Sequence, residues 1–273
     1  MGEQTSIAWT DATFNPWWGC QRVSPGCEHC YAEAFSKRVG MKLWGPAADR
    51  RFFGDKHWAE PRAWNRRAGF MGARTKVFCA SMADVFEDRR DLDGERARLW
   101  ALIEETPHLD WQLLTKRPEH MLRLAPARWA DSWPDNVWAG CTAEDQAQHD
   151  KRWPLLARVP ARVLFLSHEP ALGPLRLHEA LDDTDSPCSP EWVITGGESG
   201  GGARPYDIAW ARALIAQTSA TDTALFVKQL GARPTTGGVP MAHPLAALDR
   251  KWERPEHWPE DLRVREFPGE ATL

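Results

Sequence analysis

Three observations predict an α/β fold, a full or partial parallel (β/α) barrel with an extended C-terminal tail. Short apolar or β-branched runs alternate with longer amphipathic stretches through the middle of the chain. The apolar runs are nearly continuous, as strands covered on both faces require. Polar residues gather just after each run, positions that a parallel barrel brings to its C-terminal rim, where sites of this fold sit.

The elements follow in order. A weaker first strand is expected at 6–9. Clear strands are expected at 76–80 (KVFCA), 110–114 (DWQLL), 137–140 (VWAG), 162–167 (RVLFLS), 191–195 (EWVIT) and 224–228 (ALFVK). Helices are expected at 31–39, 93–105, 118–124, 145–156 and 207–218. The last carries Ile208, Ala211, Leu214 and Ile215 at helical spacing. Repeated strand–helix units imply parallel pairing through right-handed crossovers. Residues 1–232 are therefore read as one barrel-like domain carrying the cysteine loop described below. Residues 233–273, rich in Pro and charge, are read as an extended segment packing on it.

Composition narrows the class. The 273 residues carry a formal net charge of -4, which argues against a phosphate-driven, non-specific nucleic-acid binder but leaves room for a local basic site. The stretch Arg62, Arg66, Arg67, Arg74 and Lys76 is one such candidate, with a solvated helix face as the plainer reading. Tryptophan is abundant, 16 against 2 tyrosines, giving the chain unusual capacity for cleft lining, although core packing explains any single one as well. No apolar run is long enough to span a membrane, and residues 1–5 lack the features of a signal peptide. A cytoplasmic protein without a membrane partner is expected, and there clustered thiols signal metal or catalysis, not disulfides.

The strongest motif is Cys20-x6-Cys27-x2-Cys30. Two cysteines separated by two residues make a tight knuckle, and Pro25-Gly26 supply the turn into it. The helix expected from Tyr31 would set its N-terminus beside a negatively charged cluster. Thiolates select zinc or iron–sulfur clusters. Structural zinc wants four ligands, so His29, Cys79, Cys141 or Cys188 would have to complete it. Three close cysteines suit a cubane cluster with one iron left open. Cys79 reads as a small core residue and Cys141 as a rim thiol or a packed one. Cys188 has no role.

The strand ends supply further candidates. Asp84, Lys116 and Glu169 are the candidate catalytic residues, with Arg117 beside Lys116 as an anion fork. For Asp84 the plain alternative is a helix cap. His168 reads as a satisfied structural histidine, and Lys228 and Gln229 are weaker candidates. Gly196, Gly197, Glu198 and Ser199 open a glycine-rich loop directly after a strand, a backbone cradle for a cofactor or a plain turn. Trp17 and Trp18 flank the cysteine loop and would shield it.

The run SIAWTDATFNPWWGCQRVSPGCEHCYAE resembles the opening of a phage-associated three-Cys-motif family of unknown function. The resemblance continues through SMADVF, LLTKRP, AGCTAEDQ, LSHEPALGPL, VITGGESGGGARP, FVKQLG and PEDLRVREFP. Its three cysteines and barrel pattern are similar to the radical SAM superfamily. That resemblance implies a 4Fe–4S cluster on Cys20, Cys27 and Cys30. It also implies S-adenosylmethionine (SAM) on the open iron and a 5′-deoxyadenosyl radical as the reactive species. The superfamily's common spacing is C-x3-C-x2-C with an aromatic residue before the last cysteine. Here the first gap is six, and His29 takes the aromatic position. Phage association and aromatic content point to a nucleotide or nucleic-acid substrate. Two other readings stand beside this one. The first is a zinc- or cluster-stabilised binding protein acting with a partner protein. The second is a nuclease using Asp84, Glu169 and Glu198.

Overall fold

The computed structural model describes residues 5–177, 189–242 and 248–269, so Cys188 lies outside the described residues. The fold class is α/β, with seven parallel strands of a partial (β/α) barrel. The chain divides into two compact units. One holds Met1–Ser24, Ala32–Cys141 and Arg158–Arg162, and the other holds Pro25–Tyr31, Thr142–Ala157 and Val163–Leu273.

In the first unit β1 (Ala12–Thr13), β2 (Thr75–Cys79), β3 (Leu109–Thr115) and β4 (Val137–Thr142) pair side by side in chain order, all parallel. Helices α1 (Tyr31–Arg38), α2 (Asp55–Met71), α3 (Asp93–Glu105) and the single turn α4 (Met121–Leu124) lie between them. In the second unit β5 (Val163–His168), β6 (Trp192–Gly196) and β7 (Ala224–Gln229) pair in the same parallel manner. They carry α5 (Gln146–Leu156) and α6 (Ile208–Thr218). Both of these helices start on an aspartate N-cap: Asp145 accepts from Gln148 N and Asp207 from Ala209 N.

Differences from the sequence reading are local. The first strand is at 12–13, not 6–9. Thr10 N donates to Ile7 O, so the chain turns there, and Asp11 N then starts the pairing on Lys76 O. The long helix α2 was not anticipated. Its Arg62 pairs with Glu105, and Arg74, just beyond it, pairs with Asp110, so these members of the basic stretch belong to solvated ion pairs. The tail carries short local elements. Pro234–Thr236 and Val239–Pro240 form a small antiparallel turn around Gly237 and Gly238, and single 3-10 turns follow at Pro255–His257 and Glu260–Leu262.

Among the described residues every tryptophan except Trp44 and Trp210 is buried. Phe14 on the first unit's outer face meets Trp58 of α2 and Trp111 of β3 edge to face, at centroid distances of 5.2 and 5.7 Å. Such pairs add about 0.5–1.5 kcal/mol beyond area burial. Cys79 sits in this core fully buried, as its strand position predicts.

Candidate metal centre

The residues that set Cys20 in place follow β1. Asn15 Oδ1 accepts from Met82 N at 2.7 Å, joining the ends of β1 and β2. Gly19 N then donates to Met82 O at 2.9 Å, and Gly45 N donates to Cys20 O at 3.0 Å. Gly19 has φ +114°, and a Cβ there would stand 2.5 Å from Leu43 O, so only glycine fits this approach. The loop holding Leu43 and Gly45 is closed by Arg50. Its guanidinium grips the buried Glu87 with two bonds and the carbonyls of Leu43, Gly45 and Ala48 with three.

One strand-end residue, Arg117, then reaches the Cys20 sulfur, set there by its neighbours. Asp84 accepts from Thr115 Oγ1 (2.7 Å), Arg117 Nη1 (2.7 Å), Lys116 N (3.2 Å) and Phe86 N (3.0 Å). Burial opposes its charged form, but the Arg117 charge and these bonds hold the carboxyl below the usual aspartate range. Anchored in this way, Arg117 places Nη1 3.7 Å from Cys20 Sγ and donates to Gln21 O at 2.7 Å. The Cys20 thiol is pushed up to about 12 by burial, then by the Asp84 charge, with Arg117 opposing. Asp84 thus serves Arg117, and Lys116 contributes its backbone N–H to the same anchor.

Cys27 and Cys30 belong to the second unit and, like Cys20, are half-buried and in no disulfide. Gly26 N donates to Glu144 Oε1 at 2.9 Å, and Arg152 holds the other Glu144 oxygen at 2.8 Å. A Cβ on Gly26 would meet that carboxylate at 3.0 Å. Between the two cysteines, His29 Nδ1 bonds Glu198 Oε2 at 2.9 Å. Glu198 also takes Arg204 through its backbone N (2.9 Å), Nε (3.2 Å) and Nη2 (2.7 Å). Against the cost of burial, these donors bring the Glu198 carboxyl down to about 2. Arg204 Nη2 continues to Pro25 O at 3.1 Å, so one guanidinium ties the glycine-rich loop to the turn before Cys27.

Gly196 and Gly197 have packing reasons. Gly197 N donates to Gln229 O, and its Cβ position lies 2.3 Å from Leu230 O. A Cβ on Gly196 would stand 3.0 Å from Glu169 Oε1. Ser199 follows half-buried. Glu169 pairs with Lys228 Nζ at 3.0 Å. His168 is satisfied at both ring nitrogens, by Thr195 Oγ1 (3.2 Å) and Gly173 O (3.1 Å), and burial lowers it to about 4. Cys141 is a buried thiol. Trp17 is fully buried, and Trp18 faces Phe35 and Phe53.

Sequence reasoning missed Asn15, Arg50 and Arg204. Arg204 had a signal: a lone cation closing a glycine-rich stretch that contains a buried glutamate. Asn15 and Arg50 had none, since their partners are backbone carbonyls or residues far along the chain.

The donor chemistry of each unit suits thiolate ligation: Cys20 with a guanidinium at its sulfur in the first, and Cys27 and Cys30 with a carboxylate-held histidine between them in sequence in the second. Among the described residues no three His, Cys, Asp or Glu side chains are gathered closely enough to hold an ion.

Comparison with known proteins gives the following. No curated protein matches the sequence. Among solved structures, spore photoproduct lyase complexed with dinucleoside spore photoproduct is similar at TM-score 0.46 and 13% identity, over 80% of this chain and 64% of that one. A mutant of that lyase with bound AdoMet and dinucleoside spore photoproduct is similar at TM-score 0.43 and 13% identity, over 79% and 54%. The chain thus spans less than two thirds of the length of either. At these values the likeness is a resemblance, and no chemistry is carried from it. The model of a family described as "Protein of unknown function (DUF5131)" matches residues 4–261, and the chain belongs to that family.

Proposed function

We propose that this protein is a radical SAM-like iron–sulfur enzyme whose 4Fe–4S cluster is held by Cys20, Cys27 and Cys30. The observation that carries the reading is the Arg117 guanidinium, fixed by buried Asp84 and set 3.7 Å from the sulfur of Cys20 in a C-x6-C-x2-C segment of free thiols. A cation at a ligand sulfur stabilises the thiolate that a cluster needs and tunes its potential. When bound, the cluster would supply an electron to SAM and start radical chemistry. The chain's residues bind and orient. Glu198, with Arg204 and His29, fixes the turn that carries Cys27 and Cys30. Ser199 and the glycines before it form the SAM-contacting loop. Lys116 and Glu169 are the groups for substrate contact, Glu169 held in place by Lys228. The substrate class is a nucleotide or nucleic acid, and the site of action is the cytoplasm.

A second reading is a zinc-stabilised binding protein working with a partner protein. It is favoured by one contact, the Glu198–His29 pair, since a ligand histidine commonly presents its other nitrogen to a carboxylate. Electron paramagnetic resonance of anaerobically reconstituted, reduced protein separates the two. A cluster signal that changes on adding SAM, and is absent from the Cys20/Cys27/Cys30→Ala variant, is the expected result. Zinc in place of iron, with no signal, sinks the radical reading in favour of the binding protein.

A further inference from the structure

Several arginines at the surface of this protein face carboxylates: Arg62 with Glu105, Arg128 with Glu104, Arg212 with Asp261. Arg38 and Arg51, exposed in the first unit, lie instead on aromatic rings. Arg51 lies over the ring of Trp18 at 4.7 Å and over Phe53 at 5.2 Å. Arg38, at the end of α1, lies over Phe35 at 5.4 Å. These rings form one cluster, because Trp18 meets Phe35 at 6.0 Å and Phe53 at 5.7 Å, and Phe53 meets His57 at 4.5 Å. Two exposed lysines border it. Lys42 follows Met41, whose sulfur takes a bond from Arg51 at 3.6 Å, and Lys56 precedes His57. Among the described residues no carboxylate stands within ion-pair distance of Arg38, Lys42, Arg51 or Lys56.

An arginine on an aromatic face is held in place by the ring, while its in-plane N–H donors stay available to another acceptor. Two such groups on one aromatic cluster, flanked by lysines with no counter-charge, form a local cationic surface on a protein whose net charge is -4. We infer that this face binds single-stranded nucleic acid. Phosphates would sit on Lys42, Lys56 and the guanidinium edges. Unpaired bases would stack over the arginine planes, an arrangement that a paired duplex does not offer. The inference names the substrate class of the proposed function and rests on that reading for any catalytic meaning, whereas binding itself needs no cluster.

The test is fluorescence anisotropy of a labelled thymidine oligonucleotide titrated with the full chain across a salt series. Four contacting cations predict a log–log salt slope of about -3, from roughly 0.7 per phosphate neutralised on a single strand. Arg38→Gln/Arg51→Gln should bring the slope to about -1.5 and weaken binding roughly tenfold or more at low salt. Arg128→Gln, at an ion-paired arginine elsewhere, should leave binding unchanged. Thermal melts confirm that the variants fold, and Arg51→Lys offers a milder change that keeps the charge. Unchanged binding by the double variant overturns the inference. So does capture by anionic lipid vesicles without capture of the oligonucleotide. The same titration on the Cys20/Cys27/Cys30→Ala variant should give unaltered affinity, which separates a failure of this surface from a failure of the cluster reading.

Discussion

Replacing Arg50 by Met should be among the most damaging single changes in the first unit. The side chains of Arg50 and Glu87 are 0% and 3% exposed and meet at 2.6 Å. All five guanidinium donors are used, two on Glu87 (2.6 and 3.1 Å) and three on the carbonyls of Leu43, Gly45 and Ala48 (3.1, 3.2 and 2.7 Å). Removing one partner of a buried pair strands the other charge, at about 3–5 kcal/mol. The loop carbonyls lie nearer solvent and can recruit water, so their loss adds little beyond that range. Urea unfolding followed by tryptophan fluorescence should show the destabilisation directly. Arg50→Met/Glu87→Leu should recover much of it, because the stranded charge is gone. The loop also carries the hydrogen bond from Gly45 N to Cys20 O, so Cys20 in Arg50→Met should react faster with a thiol reagent under native conditions. A single variant as stable as the parent, or a double variant less stable than both singles, would refute the claim that the pair closes this loop.

Other expectations follow from the same geometry. His168, lowered to about 4 by burial, binds its proton more weakly folded than unfolded, near 6.5; its contribution is therefore complete above pH 6.5 and is lost as pH falls to about 4. This should remove roughly 3 kcal/mol across that window, read by urea unfolding at pH 7 and pH 4.5, and His168→Gln should flatten the dependence. Gly197→Ala drives a methyl onto Leu230 O, 2.3 Å from the ideal position, and should cost about 3 kcal/mol, measured as a fall in unfolding midpoint. Arg117→Met should leave a folded protein that retains less iron after anaerobic reconstitution than Arg117→Lys, measured as iron per chain. Equal retention would remove Arg117 from the account of Cys20.

How much of this was legible depends on the kind of signal. The strands were readable because a strand covered on both faces must be largely apolar, and KVFCA, DWQLL and RVLFLS are, apart from single polar residues such as Lys76, Asp110 and Arg162. Helix α2 was not, because Pro61, Gly69 and scattered arginines blur its apolar stripe, and its burial rests on Trp58, Trp64 and Ala68. The first strand was misplaced because two residues of pairing carry no periodicity. At the site, the sequence put Asp84, Lys116, Arg117, Glu169 and Glu198 at strand ends but could not say what each touches. That information lies in long-range pairs: Asp84 with Arg117, Glu169 with Lys228, Glu198 with His29.

Those pairs bear on the kind of chemistry the protein can do. A general acid or base needs a carboxyl whose affinity for a proton is raised toward neutrality. Asp84 and Glu198 are moved the opposite way, each with both oxygens taken by donors, and Glu169 faces an ammonium. A nuclease using these three as ligands for a hard metal ion would have to break the ion pairs with Arg117, Arg204 and Lys228 first, stranding the buried Arg117 cation. The acidic strand ends are therefore committed to holding cations, and the cations in turn are aimed at the cysteine segment: Arg117 at the Cys20 sulfur, Arg204 at the turn before Cys27. A site with its ordinary acid–base groups tied up as anchors is, on the proposed reading, organised to hold a reactive group rather than to be one. On that reading the proposed function calls for cofactor chemistry and not for hydrolysis. It also predicts that Asp84→Asn, which keeps the shape but weakens the grip on Arg117, lowers cluster retention more than it lowers stability. Measuring iron per chain alongside the unfolding midpoint decides this: a fall in stability with full iron retention would return Asp84 to a purely structural part.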